Sequence, residues 1–288
     1  TALGQGQAAQ PAQTVTDFPG GGGDFITYLG AIQAAGVFGA KLSPYIVTEG
    51  APIITAWTQV MSMTTGAPLA LVDAMQLTTE RTAGTTALAV DLLSPADSAH
   101  LAIIGAGPVA QAHLRHALGL RNWASVRVYS PSLADDTAKR ALWQGLWPAI
   151  TIAPDGATAI AGADVVMLCT SSGRPVIDPA PLKPGTLVTS ISTNAPNAHE
   201  VPPAFLTAAE VYCDYAPTTP AAAAEMRLAT QHHGWSADDM RGDLAELTCA
   251  TCSTPTGARP VYFRSVGLGL EDIAMAYGIW KLATGETS

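Results

Sequence analysis

Two cationic side chains early in the chain have the chemistry to handle a small charged ligand. Lys41 lies in Phe38-Gly39-Ala40-Lys41-Leu42, an apolar stretch that predicts a strand. There it is either an edge residue whose ammonium group reaches solvent, or a partly buried amine whose lowered pKa suits proton exchange with a ligand nitrogen. Arg81 lies in a predicted helix from Thr78 to Leu93, and Thr78 as N-cap would place it in the first turn. Facing solvent, its guanidinium has no special role; facing inward, it would join the free N–H groups of that turn in binding a carboxylate.

A glycine loop further along the chain has the composition that holds a pyrophosphate. The segment reads Leu101-Ala102-Ile103-Ile104-Gly105-Ala106-Gly107-Pro108-Val109-Ala110. Its two glycines allow a tight turn and a close backbone approach, and its last alanine lets the following helix pack near the strand. Pro108 suits the first helical turn, where free N–H groups and the helix dipole would meet phosphate. We therefore assign Gly105, Gly107, Pro108 and Val109 to a site for a dinucleotide cofactor.

The residues that follow two later strands bear on which dinucleotide binds. Ser130 follows the predicted strand Val126-Arg127-Val128-Tyr129, where NAD enzymes usually carry an acidic residue for the ribose hydroxyls. A neutral serine removes the repulsion against a 2′-phosphate, but no arginine follows directly. The expected cofactor is therefore NAD or NADP, with a slight lean to NADP. We also assign Thr170, after the predicted strand 164–169, to this cofactor site.

Other patterns in the chain favour structural roles over catalysis or metal binding. Cys169 and Cys213 lie in apolar strand-like runs and are expected to be core thiols. The segment Cys249-Ala250-Thr251-Cys252 has CxxC spacing, but neither a second CxxC nor a histidine pair completes a metal site, so no metal is expected. Tyr277-Gly278-Ile279-Trp280-Lys281 has the tyrosine–lysine spacing of short-chain dehydrogenases. Those proteins place a differently spaced glycine loop near their N-terminus, so we assign this pair to packing.

The composition predicts a globular protein whose partners are not nucleic acids or membranes. The chain has 288 residues, of which 48% are hydrophobic and 13% charged, and this is enough for one or two domains. A formal net charge of −9 argues against nucleic acid and anionic membrane, and no apolar run approaches the length of a membrane span. No secretory signal is visible, so we expect a cytoplasmic location.

The predicted elements follow two different rhythms along the chain. Residues 1–24 predict a flexible lead-in that ends in a glycine turn, and residues 25–73 predict short strands with a hairpin at Thr65-Gly66. From Leu101 onwards strands alternate with helices, as is typical of a doubly wound parallel sheet. The expected strands are 101–104, 126–129, 150–153, 164–169, 186–192 and 210–214.

The C-terminal elements complete the predicted architecture. Val261 begins a small strand, and the helix after it carries an apolar stripe formed by Leu270, Ile273, Ala274, Tyr277 and Trp280, which we expect to pack on the N-terminal strands. The predicted fold class is α/β, with a Rossmann doubly wound parallel sheet and a smaller α/β domain. The NAD(P)-binding domain would span 95–264, and the substrate-binding or dimerisation domain 1–94 with 265–288.

Several segments taken together resemble the ornithine cyclodeaminase/mu-crystallin family. They cover nearly the whole chain from about residue 13: Gly39–Lys41, the Thr65-Gly66 hairpin, Leu77-Thr78 with Arg81-Thr82, Ile104–Gly107, Gly185–Asn194 with Glu200, and Phe263–Asp272. The resemblance implies a Rossmann domain joined to a substrate and dimerisation domain, and a homodimer as the usual unit. It also implies a nicotinamide cofactor and a small amino-acid or imino-acid substrate.

The same resemblance implies roles for individual residues. Arg81 matches the arginine that contacts substrate carboxylate and cofactor, and Lys41 matches the substrate-binding lysine. Both are therefore expected to be catalytic. Ser265 and Val266 match the loop that closes over the nicotinamide and the substrate, so we assign Ser265 to the cofactor and Val266 to the substrate.

Two departures from the family pattern bear on the substrate. Asn194 stands where cyclodeaminases place an aspartate, and a neutral amide cannot act as a general base at this catalytic position. Gln13 stands where the family often has an arginine, so one contact to a carboxylate would be absent. Both changes weigh against ornithine as the substrate.

The expected function is that of an ornithine cyclodeaminase-like, NAD(P)-dependent oxidoreductase. Its reaction would be cyclodeamination of ornithine, reduction of a cyclic ketimine such as pyrroline-2-carboxylate, or dehydrogenation of a small amino acid. The alternative is a mu-crystallin-like protein that binds NADP and a small ligand without turnover. Lys41 and Arg81 favour the enzyme, whereas Gln13 and Asn194 favour the binding protein or a changed substrate.

Overall fold

Two β-sheets of different construction organise the chain. A computed structural model describes residues 2–192 and 197–286. The strands in these residues are β1 (Ala8–Ala9), β2 (Thr14–Asp17), β3 (Gly23–Ile32), β4 (Val37–Ile46), β5 (Ile53–Ile54), β6 (Trp57–Ser62), β7 (Pro68–Asp73), β8 (His100–Ile104), β9 (Ser125–Tyr129), β10 (Thr151–Ile152), β11 (Val165–Leu168), β12 (Leu187–Ser190), β13 (Glu210–Cys213), β14 (Gly242–Asp243) and β15 (Val261–Arg264). The helices are α1 (Met75–Leu93), α2 (Pro108–Ala117), α3 (Thr137–Leu146), α4 (Gly156–Ile160), α5 (Phe205–Ala208), α6 (Thr219–Ala222), α7 (Ala224–His232), α8 (Leu244–Cys249) and α9 (Gly269–Thr284).

Contacts between residues divide the chain into two units. Unit 1 comprises Thr1–Arg81 and Gly267–Ser288, and unit 2 comprises Thr82–Val266. Nowhere in the described ranges is there a helix long and apolar enough to cross a membrane.

Unit 1 is built on an antiparallel sheet in the order β1-β3-β4-β6-β7, with β2 paired to β3 and β5 to β4. The hairpin predicted at Thr65-Gly66 is confirmed, since it joins β6 to β7 and Gly66 adopts a φ of 68°. The flexible lead-in predicted for residues 1–24 is wrong in part. Thr14 to Asp17 pair with β3, and the glycine run forms the turn of this hairpin.

Helix α9 covers one face of the unit 1 sheet. Ile273 and Ala276 pack with Val37, Val60 and Leu77 in a small core, as the predicted packing of the terminal helix on the N-terminal strands requires. The predicted apolar stripe included Ala274, but Ala274 is exposed and Ala276 is buried instead. The first turn of α9 carries the acidic residues Glu271 and Asp272.

Helix α1 begins three residues earlier than predicted. The Asp73 side chain accepts a hydrogen bond from the Met75 N–H at 3.0 Å, and the Thr78 N–H already bonds to the Ala74 carbonyl at 2.8 Å. Thr78 is therefore not the N-cap, because the aspartate that ends β7 starts the helix first. Arg81 consequently lies in the second turn, beyond the free N–H groups that were expected to help it bind an anion.

Unit 2 is a parallel sheet in the order β10-β9-β8-β11-β12-β15-β13-β14. The six predicted strands are present and all run parallel, which confirms the Rossmann-type α/β fold class. The sheet is buried on both faces. Leu101 and Ile103 of β8 belong to one apolar core, and Ala102 and Ile104 to the other.

One strand of unit 2 lies in an unexpected position. The strand predicted at Val261 forms β15, which is inserted between β12 and β13 near the middle of the sheet. Its four residues are buried, as a central parallel strand requires. The carboxyl ends of β8, β11, β12, β13 and β15 therefore share one edge, where ligands bind in folds of this kind.

Candidate active site

The glycine loop closes the carboxyl end of β8 as the sequence predicted. Gly105 has a φ of 120°, and a Cβ atom there would overlap the carbonyl oxygen of Cys169. Gly107 is the N-cap of α2, with Pro108 in the first turn, and a Cβ on Gly107 would have nothing within 4 Å. The first glycine is therefore required by the fold, whereas the second keeps an open space beside the helix N-terminus. That space is what a pyrophosphate needs.

A cavity of about 730 Å³ opens beside this loop in unit 2. Six of the residues that the sequence assigned to the cofactor site line it: Gly105, Gly107, Pro108, Val109, Ser130 and Thr170. Cys169 also lines it. Burial, and then the carboxylate of Glu200, raise the pKa of the Cys169 thiol well above its ordinary value, so this cysteine is an inert wall of the cavity.

The far end of the cavity, beyond β9, carries hydroxyl groups and one cation. Ser130 Oγ lies 3.0 Å from Ser132 Oγ, and both residues line the cavity together with Lys139. Sequence reasoning missed Lys139, which lies in α3 and whose ammonium group is 3.5 Å from Asp136. The sequence offered little reason to assign Lys139 to the site, because a turn and the start of α3 separate it from the end of β9. Hydroxyl groups and a cation fit the ribose and phosphate of an adenine nucleotide.

The cationic residues of unit 1 converge on one buried carboxylate. Asp272, at the start of α9, is completely buried; one oxygen lies 2.7 Å from Lys41 Nζ and the other 3.1 Å from Arg81 Nε. Glu271 contacts Arg81 Nη1 at 3.3 Å. The ammonium group of Lys41 also lies 4.2 Å from the centre of the Tyr28 ring, its register neighbour on β3. Lys41, Arg81, Asp272, Glu271 and Tyr28 form what we name the lysine–arginine cluster.

The register of the sheet explains why Lys41 is buried. Tyr28, Lys41 and Thr58 are direct neighbours on β3, β4 and β6, so their side chains lie on one face, which α9 covers. Lys41 is only 1% exposed. Of the two interpretations that the sequence left open, the buried amine is correct and the solvent-reaching edge residue is wrong.

The electrostatics of the lysine–arginine cluster suit proton exchange at Lys41. Burial, and then the neighbouring Arg81 cation, lower the pKa of Lys41 to about 8, although Asp272 acts in the opposite direction. Burial also works against the charged form of Arg81, but the Asp272 and Glu271 carboxylates raise its pKa above the ordinary value. Arg81 is therefore a permanent cation beside an amine that can change its charge near neutral pH.

Besides Asp272 Oδ2, which lies 2.7 Å from Lys41 Nζ, two buried oxygen atoms in the described residues of unit 1 have no hydrogen-bond partner. One is the hydroxyl of Thr58, beside Lys41, and the other is the amide oxygen of Gln13, which immediately precedes β2. Buried polar atoms of this kind normally find a partner, so both oxygens have unused hydrogen-bonding capacity.

The remaining assigned residues are placed as follows. Ser265 and Val266 follow β15, where the Ser265 hydroxyl donates to Asp214 at 3.0 Å and the Val266 N–H donates to the same carboxylate at 2.7 Å. Neither is among the residues that line the cofactor cavity. Asn194 lies outside the described residues. Sequence reasoning missed Asp272, although it forms part of the segment that carried the family resemblance.

The fold and the cavity together define a dinucleotide-binding protein of the doubly wound α/β class. The chain belongs to the ornithine cyclodeaminase/mu-crystallin family, whose model matches residues 4–286. The sequence prediction of this family is thus confirmed.

Relatives and solved structures narrow the class of reaction. The chain is 55% identical to the NAD(P)H-dependent anabolic L-arginine dehydrogenase DauB of Pseudomonas aeruginosa, over 97% of this chain and 88% of the relative. It is 28% identical to a Delta(1)-pyrroline-2-carboxylate reductase of Colwellia psychrerythraea, over 75% of this chain and 69% of the relative. A crystal structure described as a probable ornithine cyclodeaminase from Bordetella pertussis superposes with a TM-score of 0.88 at 27% identity, covering 99% of this chain and 89% of that one.

These findings confirm the predicted class of enzyme. The chain is an NAD(P)-dependent oxidoreductase that acts on an amino or imino acid. The alternative of a binding protein without turnover is not supported, because the relatives named above carry the names of enzymes.

Proposed function

We propose that this protein is an L-arginine dehydrogenase, which interconverts the amino acid with its 2-imino and 2-oxo acids. In the oxidative direction Cα would lose a hydride, for which a bound NAD(P)⁺ would be the acceptor, and the nitrogen would lose a proton. Water then adds to the imine and ammonia leaves. The observation that carries the choice of substrate is the 55% identity to an L-arginine dehydrogenase over nearly the whole chain.

The lysine–arginine cluster supports this chemistry through three roles. Arg81 would bind the substrate carboxylate, as its permanent charge and planar N–H groups favour. Lys41 would exchange a proton with the substrate nitrogen, since its pKa of about 8 makes both charge forms accessible. Asp272 would position both cations through its two oxygens. When bound in the unit 2 cavity, the nicotinamide cofactor supplies or accepts the hydride.

Two features of unit 1 favour a substrate rich in N–H donors. The unpartnered oxygens of Gln13 and Thr58 are acceptors, and a guanidinium group carries five N–H donors. Asn194, which we retain as a proposed site residue, can orient a group but cannot accept a proton. Together these residues favour dehydrogenation of arginine over cyclodeamination of ornithine.

The direct test is NAD(P)H absorbance at 340 nm with a panel of substrates. L-Arginine, L-ornithine and L-alanine would be offered with NAD⁺ or NADP⁺, and pyrroline-2-carboxylate with NADH or NADPH. We expect kcat/KM to be highest for L-arginine by roughly tenfold or more over L-ornithine. Absence of turnover with L-arginine, alongside turnover with another substrate, would overturn the proposed substrate.

A second candidate function is reduction of a cyclic ketimine. It is supported by the similarity to a pyrroline-2-carboxylate reductase. That reaction needs the same carboxylate contact and proton donor but no acceptor for a guanidinium. In the panel above it is identified by turnover of pyrroline-2-carboxylate without turnover of L-arginine.

We further propose that the cofactor site favours NADP over NAD. The neutral Ser130 and the cation of Lys139 lie in the same part of the cavity, where a 2′-phosphate would gain a charged partner. Lys139 is also close to Asp136, so the preference is expected to be modest.

The lowered pKa of Lys41 predicts opposite pH profiles for the two directions of the reaction. In the reductive direction the ammonium form donates a proton, so kcat/KM is expected to fall as the pH rises through about 8. In the oxidative direction the neutral amine accepts it, so kcat/KM rises through the same pH. The Lys41→Arg variant keeps a cation that does not titrate in this range and should lose this limb in both profiles. A limb near pH 8 that persists in Lys41→Arg would assign it to another group.

We propose a homodimer formed through the sheet face of unit 1 that α9 does not cover. Strand register places Leu29, Phe38, Leu42, Trp57 and Leu71 on that face, and they are between 39 and 69% exposed. A contiguous exposed apolar patch of this kind marks an interface with another protein surface. A second copy of the chain would bury it symmetrically.

Replacing Trp57 with arginine is expected to weaken that dimer by roughly 30-fold or more, because a buried aromatic anchor is replaced by a charge. Sedimentation equilibrium over a range of protein concentrations measures the change. Leu282→Arg is the matched control, since Leu282 is 86% exposed on α9 and outside the patch. A wild-type protein that is monomeric at micromolar concentration would contradict the proposal.

A cytoplasmic location is also a proposal. Its support is that Cys169, Cys213, Cys249 and Cys252 are all free thiols, as is usual in a reducing compartment.

A further inference from the structure

A completely buried carboxylate lies behind the wall of the cofactor cavity. Glu200 is 0% exposed, and none of the chemistry proposed above uses it. One oxygen accepts hydrogen bonds from the Thr170 N–H and from the Thr170 hydroxyl, both at 2.7 Å. The other accepts from the Ser190 hydroxyl at 2.8 Å and from the Ser192 N–H at 2.9 Å. Four donors thus satisfy this side chain, as burial of a carboxylate requires.

The donors come from two separate segments at the carboxyl edge of the unit 2 sheet. Thr170 follows β11 and lines the cavity, and Ser190 and Ser192 flank Ile191, which also lines it. The backbone of Glu200 makes a third connection, because its carbonyl accepts from the N–H of Val176, another lining residue, at 2.9 Å. Glu200 therefore holds three parts of one wall without itself lining the cavity.

The backbone at Ser192, which donates to Glu200, has an unusual conformation. Its φ is 24°, a positive value that residues other than glycine rarely adopt. The N–H of the same residue donates to Glu200. A backbone conformation of this kind persists where its surroundings hold it, and such positions cluster at ligand sites.

We propose that Glu200 is a positioning residue for the cofactor, which fixes the segments after β11 and β12 in the arrangement that binds the dinucleotide. The proposal rests on the assignment of the unit 2 cavity to NAD(P). Its energetic basis is that four charge-assisted hydrogen bonds orient the Thr170 amide and hydroxyl, the Ser190 hydroxyl and the Ser192 backbone N–H before the cofactor arrives.

Unit 2 contains a matched control for a purely stabilising role. Glu210, at the opposite end of the strands, is 1% exposed and accepts from both the N–H and the hydroxyl of Thr256. It also lies 3.3 Å from Arg241. Neither Glu210 nor its partners line the cofactor cavity. Loss of this carboxylate should therefore change stability without changing the cavity wall.

The test compares Glu200→Gln with Glu210→Gln in the full-length protein. Dissociation constants for NADH and NADPH are measured by nucleotide fluorescence, the melting temperature without cofactor by circular dichroism, and kcat separately from KM. We expect both variants to melt at lower temperature. Only Glu200→Gln should raise the dissociation constant and the KM of the cofactor, by roughly tenfold. The substitution replaces one carboxylate oxygen with an amide NH₂ group, which cannot accept the two hydrogen bonds that this oxygen accepted.

Ser190→Ala provides a milder change if Glu200→Gln does not fold. It removes one donor to Glu200 from a residue that does not line the cavity, and should raise the dissociation constant by roughly two- to fivefold. The positioning role is overturned if Glu200→Gln and Glu210→Gln bind the cofactor with equal affinity. If Glu200→Gln does not fold, it is overturned by a Ser190→Ala variant whose cofactor affinity equals that of the wild type. Failure of the wild-type protein to bind either nucleotide overturns the cofactor assignment itself.

Discussion

Replacing Asp272 with asparagine is expected to lower kcat/KM for the amino acid by about 10²–10³-fold, the size of effect seen when one preorganised hydrogen-bonding group is removed from an active site. The carboxylate is the shared partner of Lys41 and Arg81, and its loss leaves two cations buried side by side. The pKa of Lys41, already lowered to about 8, should fall further because Asp272 is the main group that raises it. Steady-state kinetics in both directions, with a pH profile, measures the effect.

Glu271→Gln is the control for this prediction. Glu271 lies 3.3 Å from Arg81 Nη1, also accepts from the Leu268 N–H at 3.4 Å, and is 19% exposed, so its loss should reduce kcat/KM by no more than about tenfold. Both variants would be checked for folding by circular dichroism, because a buried ion pair with one partner removed also lowers stability. Equal effects of the two substitutions, or a folded Asp272→Asn enzyme with wild-type kinetics, would contradict the role assigned to Asp272.

The second large effect is expected from Gly107→Ala. A Cβ there meets nothing within 4 Å in the protein, so the melting temperature without cofactor should stay within a degree or two of the wild type, as for an unstrained surface change. The same Cβ would occupy the space beside the N-terminus of α2 where the pyrophosphate binds. We expect the dissociation constant for NAD(P)H to rise by roughly 100-fold, equivalent to about 3 kcal/mol of overpacking.

Gly105→Ala separates cofactor binding from folding. Here the added Cβ would overlap the carbonyl oxygen of Cys169, and a φ of 120° is unfavourable for alanine. The melting temperature should therefore fall even without cofactor. Calorimetry and nucleotide fluorescence on the two variants measure both quantities. Tight NAD(P)H binding by Gly107→Ala would show that the pyrophosphate lies elsewhere.

The unit 2 fold and its glycine loop could be predicted from the sequence because their signals are local. A short apolar strand, two glycines and Pro108 at a helix start each constrain the backbone within a few residues. The start of α1 shows the limit of such signals. Asp73 and Thr78 are both acceptable N-caps, and the choice between them depends on where β7 ends.

The partners of the cationic residues could not be predicted in the same way. Lys41 and Asp272 come from opposite ends of the chain, and only the packing of α9 on β4 brings them together. Acidic residues in the first turn of a helix are common for electrostatic reasons alone, so the place of Asp272 in the segment that resembles the family did not reveal its pairing with Lys41 and Arg81. The insertion of β15 between β12 and β13 was hidden for a similar reason, because strand order depends on long-range pairing.

The late position of α9 has a consequence for synthesis on the ribosome. Lys41 and Arg81 are translated early, whereas Glu271 and Asp272, whose carboxylates contact them, follow Arg81 by 190 and 191 residues. Until α9 is made, the two cations lack the carboxylates of this helix as counter-ions. The parallel sheet is also incomplete until β15 is made, because β15 pairs with both β12 and β13. Neither unit of a nascent chain can therefore be complete before these late segments have been translated, so both units should gain resistance to protease over the same narrow range of chain lengths.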